Sequence, residues 1–184
     1  MKTIVRALSP LTIIAVLAAL STGTAHAAVR DYEDVRGEAR TDMDLHSVRL
    51  TSTGRWLTVR TKHLDVRPAP RAGGSIAIFI DVDRAHKGPE YAFVGGTSRG
   101  TDYALVHTDG WDLADRIHEA ELDMDVDYDR DTVRVRMARA SMGDPQLVRI
   151  AVRSEGPRPN GKPATDWLRT IQHLTPWVTL DTDG

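Results

Sequence analysis

The sequence predicts an all-β fold, an antiparallel β-sandwich of jelly-roll type with at most one short helix. Three observations predict it. Short apolar alternations of period two recur along the chain, with almost no sustained helical period. Turn-forming groups separate them at hairpin spacing: Ser52-Thr53-Gly54, Gly73-Gly74, Gly95-Gly96 to Gly100 and Asp109-Gly110. Finally, Ser75-Ile76-Ala77-Ile78-Phe79-Ile80 is apolar on both faces, as expected of a central strand covered from two sides.

The first element is a secretory signal peptide over residues 1–27. Lys2 and Arg6 precede the apolar run Leu11 to Leu20, and Ala25-His26-Ala27 offers a small-residue cleavage site before Ala28. The run is too short to cross a bilayer as a helix, so no membrane insertion of the mature chain is expected. With no cysteine in the chain, neither a lipid-bearing thiol nor a disulfide is available. The expectation is a secreted, extracellular protein whose residues 28–184 form a single domain resting on its core alone.

A polar lead-in, Ala28 to about Met43, precedes the first predicted strand. Strands are then expected near Leu45 to Leu50, Trp56 to Thr61, Ser75 to Asp81, Tyr91 to Val94, Tyr103 to His107, Leu122 to Tyr128, Thr132 to Ala138 and Leu147 to Arg153, with Trp177 to Leu180 closing the set. Asp112 to Glu121 reads as the one short helix, with Asp112 as N-cap and Leu113 and Ile117 on a common face. Ser154 to Thr165, rich in Pro and Gly, reads as a surface loop.

Removing residues 1–27 takes away two basic residues and leaves 22 Lys and Arg against 26 Asp and Glu, a formal charge of −4. That balance argues against a general nucleic-acid binder. Arginine dominates the basic residues and Asn160 is the sole asparagine, a bias that points to GC-rich codons and a bacterial source.

The acidic run Asp123, Asp125, Asp127, Asp129, Asp131 alternates with Met124, Val126 and Tyr128 and is followed by Val133-Arg134-Val135-Arg136. An Asp129 to Thr132 turn would set Val126 opposite Val135, Asp127 opposite Arg134 and Asp125 opposite Arg136, an ion-pair ladder on one face with an apolar face behind it. A different acidic set, Asp81, Asp83 and Glu90, brackets the loop after the central strand and makes a candidate calcium site built of oxygen donors. It is not an EF-hand, because with Asp81 as position one the sixth position is His86 and the twelfth is Ala92.

Gly96-Thr97-Ser98-Arg99-Gly100 spells the G-x-S-x-G pattern, but a strand-like segment follows it where a nucleophile elbow needs a helix. His118-Glu119 lacks the second histidine of a zinc-protease motif, since position 122 is leucine. His46, His63, His86, His107 and His173 show no metal-ligand spacing. Tyr91, Tyr103 and Trp111, close to Asp109, are the candidate ligand contacts, because pyranose rings pair an apolar face with a hydroxyl rim.

Asp31 to Asp34, Asp42-Met43-Asp44-Leu45, Ile80-Asp81-Val82-Asp83, Gly88-Pro89-Glu90-Tyr91, Asp166-Trp167 and Thr175-Pro176-Trp177-Val178 occur in an order that resembles a set of uncharacterised secreted bacterial β-sandwich proteins. More distantly, the acidic lead-in and the Asp-x-Asp strand end are similar to family-nine carbohydrate-binding modules and to dopamine β-monooxygenase N-terminal-like (DOMON) domains. The resemblance implies a jelly-roll-like sandwich, with sugar or haem binding in some members and bound calcium in some. The chain departs from the close set in lacking a cysteine pair, and no catalytic residue carries over.

The function expected from these readings is a secreted, non-catalytic binding module for polysaccharide, with structural calcium. A cell-envelope module that binds another secreted protein is the alternative. A secreted hydrolase built on Asp and His residues that meet only in the fold is the third.

Overall fold

The computed structural model describes residues 28–69 and 73–180; the signal peptide expected over residues 1–27 lies outside them. The described residues form an all-β structure of two antiparallel sheets packed together, a β-sandwich. In chain order the strands are β1 (Ala28–Glu33), β2 (Leu45–Ser52), β3 (Trp56–His63), β4 (Ser75–Asp81), β5 (Tyr91–Gly96), β6 (Tyr103–Asp109), β7 (Asp112–Arg116), β8 (Leu122–Asp127), β9 (Thr132–Ala138), β10 (Leu147–Pro157), β11 (Pro163–Trp167) and β12 (Val178–Thr179). The first sheet has the order β1-β2-β3-β9-β8, and the second β11-β10-β4-β5-β6-β7 with β12 added to β10.

Period-two alternation drives this arrangement. Val48, Leu50, Leu57, Val59, Val133, Val135 and Met137 from the first sheet meet Ile76, Ile78, Ile80, Phe93, Leu105, Val148, Ile150 and Val152 from the second, all buried in one cluster. Strand β4 is buried from Ile76 to Asp81 on both faces, as its sequence predicts. Its isoleucines enter the core between the sheets, whereas Ala77 and Phe79 join a second apolar cluster on the outward side.

Four expectations are corrected. The expected Asp112 to Glu121 helix instead begins as the edge strand β7, paired with β6, and among the described residues the one short helical element is a 3₁₀ turn over Arg139–Met142. Gly110 adopts φ 59° and folds β6 directly back on itself, so ladder hydrogen bonds replace a ten-residue helix too short to hold on its own. The polar lead-in contains β1, whose Tyr32 faces the core while Asp31 pairs with Arg49 outside. The expected Ser154 to Thr165 loop is mostly hairpin: β10 runs on to Pro157 and β11 returns from Pro163, with Gly161 at φ 76° in the turn.

The acidic ladder exists in a register two residues from the expected one. Asp125 faces Arg134, Asp123 faces Arg136 and Met124 faces Val135. The turn closes earlier because Asp127 Oδ1 accepts the amides of Asp129 and Arg130, which takes Asp127 out of the ladder and makes Tyr128 to Asp131 the loop. Because the shift is even, the apolar and charged faces are unchanged.

Candidate functional site

The outward face of the second sheet carries the site. Ala77 on β4, Val94 on β5 and Ala104 on β6 lie in cross-strand register, and small side chains here leave the sheet surface low. Arg153 on β10 borders this floor on one side, and Leu113 and Arg116 on β7 border it on the other. Together with Asp102 and Tyr103 they line a groove of about 340 Å³. Leu113 is 48% exposed, an apolar side chain left in water at the groove wall.

Next to the floor, Phe79 meets Trp111 edge-on at 5.1 Å and stacks on Trp167 at 5.6 Å. This trio is the rigid shoulder of the site. Arg153 lies 5.8 Å from both the Phe79 and Trp167 rings, a cation resting on π faces. Among the described residues neither Arg153 nor Arg116 is within ion-pair distance of a carboxylate; Arg116 Nη2 donates only to the Tyr103 carbonyl at 3.4 Å.

The sequence-predicted contacts divide between the two sides of the sheet. Trp111 belongs to the outward cluster. Tyr91 and Tyr103 turn to the core side, where Tyr91 meets His107 at 5.4 Å and Tyr103 meets Phe93 at 5.8 Å, although Tyr103 also borders the groove. Asp109 is exposed at the β6–β7 turn.

Asp81 is wholly buried and receives Arg149 Nε at 2.7 Å. Burial raises its carboxyl above the ordinary range against the lowering effect of Arg149. Glu90 Oε2 accepts the Val82 amide at 2.8 Å, and burial raises Glu90 as well. Asp83 points to solvent and accepts the Ala85 amide at 2.8 Å. Asp81 Oδ1 and Glu90 Oε1 are buried without a hydrogen-bond partner, but the Arg149 guanidinium already compensates Asp81.

Another acidic set converges more tightly. Asp34, Glu38 and Asp166 each offer an oxygen within 4.8 Å of the others, the one such group among the described residues. Asp166 is 3% exposed, accepts the amides of Leu45 at 2.6 Å and Trp167 at 2.9 Å, and is pushed up to about 6 by burial and by the negative charges of Asp34 and Asp44. Asp34 is raised by burial too; its Oδ1 accepts the Arg169 amide and its Oδ2 is buried without a partner. The chemistry of this set is that of hard oxygen donors with little compensating charge.

The residues that a nucleophile reading would use stand apart. Ser98 is 6% exposed and its hydroxyl donates to the Ala69 carbonyl at 3.3 Å, in the turn between two strands. His63 is wholly buried, with Nδ1 donating to the Met43 carbonyl at 3.1 Å and Nε2 accepting from Thr61 Oγ1 at 2.7 Å, so it packs the core. No family model matches the chain, and no curated protein matches it.

The groove residues Ala77, Val94, Ala104, Arg116 and Arg153 escape sequence reasoning, because their shared face exists only once strand order is fixed. One signal was present. A central strand apolar on both sides needs a cover on its outward side, and the residues flanking that cover are where a ligand can lie.

Proposed function

We propose that the mature chain is an exported, non-catalytic binding module whose ligand is a carbohydrate docked on the outward face of the second sheet. The observation that carries this reading is the groove of about 340 Å³ floored by Ala77, Val94 and Ala104 and walled by the exposed Leu113. A low apolar floor with polar groups at its margins suits a ring that has an apolar face and a hydroxyl rim. The Phe79, Trp111 and Trp167 cluster keeps that floor rigid, which limits the ordering cost of binding.

Purified residues 28–184 applied to soluble and insoluble glycans should be retained by at least one of them, and Ala104→Leu, which fills the floor, should abolish retention while leaving the melting temperature intact. A protein that ignores the whole panel, with and without calcium, has no carbohydrate function.

Structural calcium belongs to the same proposal. Asp34, Glu38 and Asp166 are its donors in preference to Asp81, Asp83 and Glu90, because an ion there relieves carboxylate repulsion that Arg169 offsets only through its field, with no ion pair among the described residues, whereas Asp81 is paired directly with Arg149. Calcium should raise the melting temperature by mass action. Asp34→Asn should remove that shift; loss of the shift in Asp81→Asn instead would return the ion to the Asp81 loop.

A further inference from the structure

We infer that the groove selects a saccharide bearing carboxylate groups, held by Arg116 and Arg153 at its two margins. This rests on the carbohydrate reading above and adds the charge of the ligand. Both residues line the groove, and among the described residues neither has a carboxylate within ion-pair distance. Several surface arginines are paired, Arg49 with Asp31, Arg55 with Glu121, Arg67 with Asp65 and Arg134 with Asp123 and Asp125, and others such as Arg60, Arg99 and Arg158 are not, among the described residues; what sets Arg116 and Arg153 apart is that both border one apolar groove. Asp102 is the one acidic side chain lining the groove, so two cations against one anion leave it positive within a chain of net negative charge.

The chemistry of the two cations favours a planar anion. A guanidinium presents a fork that matches a carboxylate with two parallel hydrogen bonds. Arg153 is half-buried against the Phe79 and Trp167 rings, which limits its rotamers before any ligand arrives. Arg116 stands on β7, four strands from β10 in the sheet order, an interval of roughly 19 Å at the usual interstrand spacing. The apolar floor fills that interval. A single small anion cannot reach both margins, whereas a chain of rings with a carboxylate on each can lay its apolar faces over Ala77, Val94 and Ala104 while meeting both arginines.

Isothermal titration with tetragalacturonate, its methyl ester and a neutral cello-oligosaccharide of equal length tests this directly. Tetragalacturonate should bind, and esterification, which removes charge but keeps the rings, should weaken binding about tenfold or more. Arg153→Gln and Arg116→Gln should each produce a similar loss, with thermal melting curves like those of the unaltered protein showing that the fold is kept. Arg153→Lys should recover only part of the affinity, since it restores charge without the fork. Equal binding of the acid, the ester and the neutral oligomer overturns the charge selection and leaves the carbohydrate reading standing. Binding of none of the three overturns the charge selection, and the wider glycan panel then decides the carbohydrate reading alone. Galacturonate binding that survives both glutamine substitutions removes the two arginines from the site.

Discussion

Arg149 and Asp81 face each other across β10 and β4, with Arg149 Nε donating to Asp81 Oδ2 at 2.7 Å while the carboxylate is wholly buried. The guanidinium also lies 4.5 Å from the centre of the Trp177 ring, so the C-terminal segment, the central strand and β10 are joined at one charged residue. Arg149→Met should cost about 3 kcal/mol in urea unfolding at neutral pH, because it leaves a buried carboxylate without its counter-charge. The cost should shrink in mild acid, where Asp81, already raised by burial, takes up a proton. A loss of about 0.5 kcal/mol or less, independent of pH, would mean the pair does not hold these elements together.

Acid should destabilise the protein through His63. Burial holds this imidazole at about 4, well below the ordinary histidine value, so the folded state keeps it neutral while the unfolded chain binds a proton. Its contribution is present above pH of about 6.5 and is lost as pH falls toward 4, a change of about 3 kcal/mol. His63→Gln should therefore flatten the stability profile between those limits. A profile of unchanged slope would place the acid sensitivity elsewhere.

The opposite sign holds at Asp34 and Asp166. Asp166 titrates near 6 in the folded state, above its unfolded value, so its charged form works against folding at neutral pH and that penalty fades as pH falls through 6. In calcium-free buffer Asp34→Asn should stabilise the fold by about 1 kcal/mol at pH 7 and lower the Asp166 midpoint seen by carboxyl-resolved NMR. A destabilised variant with an unmoved Asp166 midpoint would contradict repulsion between the two carboxylates.

Register on the charged face of the first sheet can be read by coupling. A double-mutant cycle on Asp125 and Arg134 should give about 0.5 kcal/mol, whereas a cycle on Asp127 and Arg134 should be additive within error. The reverse outcome would restore the register in which Asp127 faces Arg134.

What the sequence makes legible follows from how local each signal is. The doubly apolar β4 and the alternating β3 and β9 announce themselves because their side chains report both faces within a few residues. Strand β7 does not, since all five of its residues are exposed and its pairing depends on Gly110 turning the chain onto β6. The ladder register is hidden for a similar reason: a single side chain, Asp127, chooses between capping the turn and pairing with an arginine across strands. At the candidate site Trp111 is readable as one of few aromatics, set beside a turn, but its partner Trp167 lies 56 positions along the chain and meets it only once the fold is formed, edge-on at 5.8 Å. Arg116 and Arg153 carry no motif at all, and their role emerges from the apolar groove that the strand order sets between them.

Binding at the groove is tested most directly by amide chemical-shift mapping of residues 28–184 during titration with tetragalacturonate. Shifts should be confined to the outward face of the second sheet, at Ala77, Val94, Ala104, Arg116 and Arg153, with the first sheet unmoved. Arg49, Arg60 and Arg134 lie in cross-strand register on the first sheet, and shifts centred on that row, or no shifts at saturating ligand, would contradict binding at the groove.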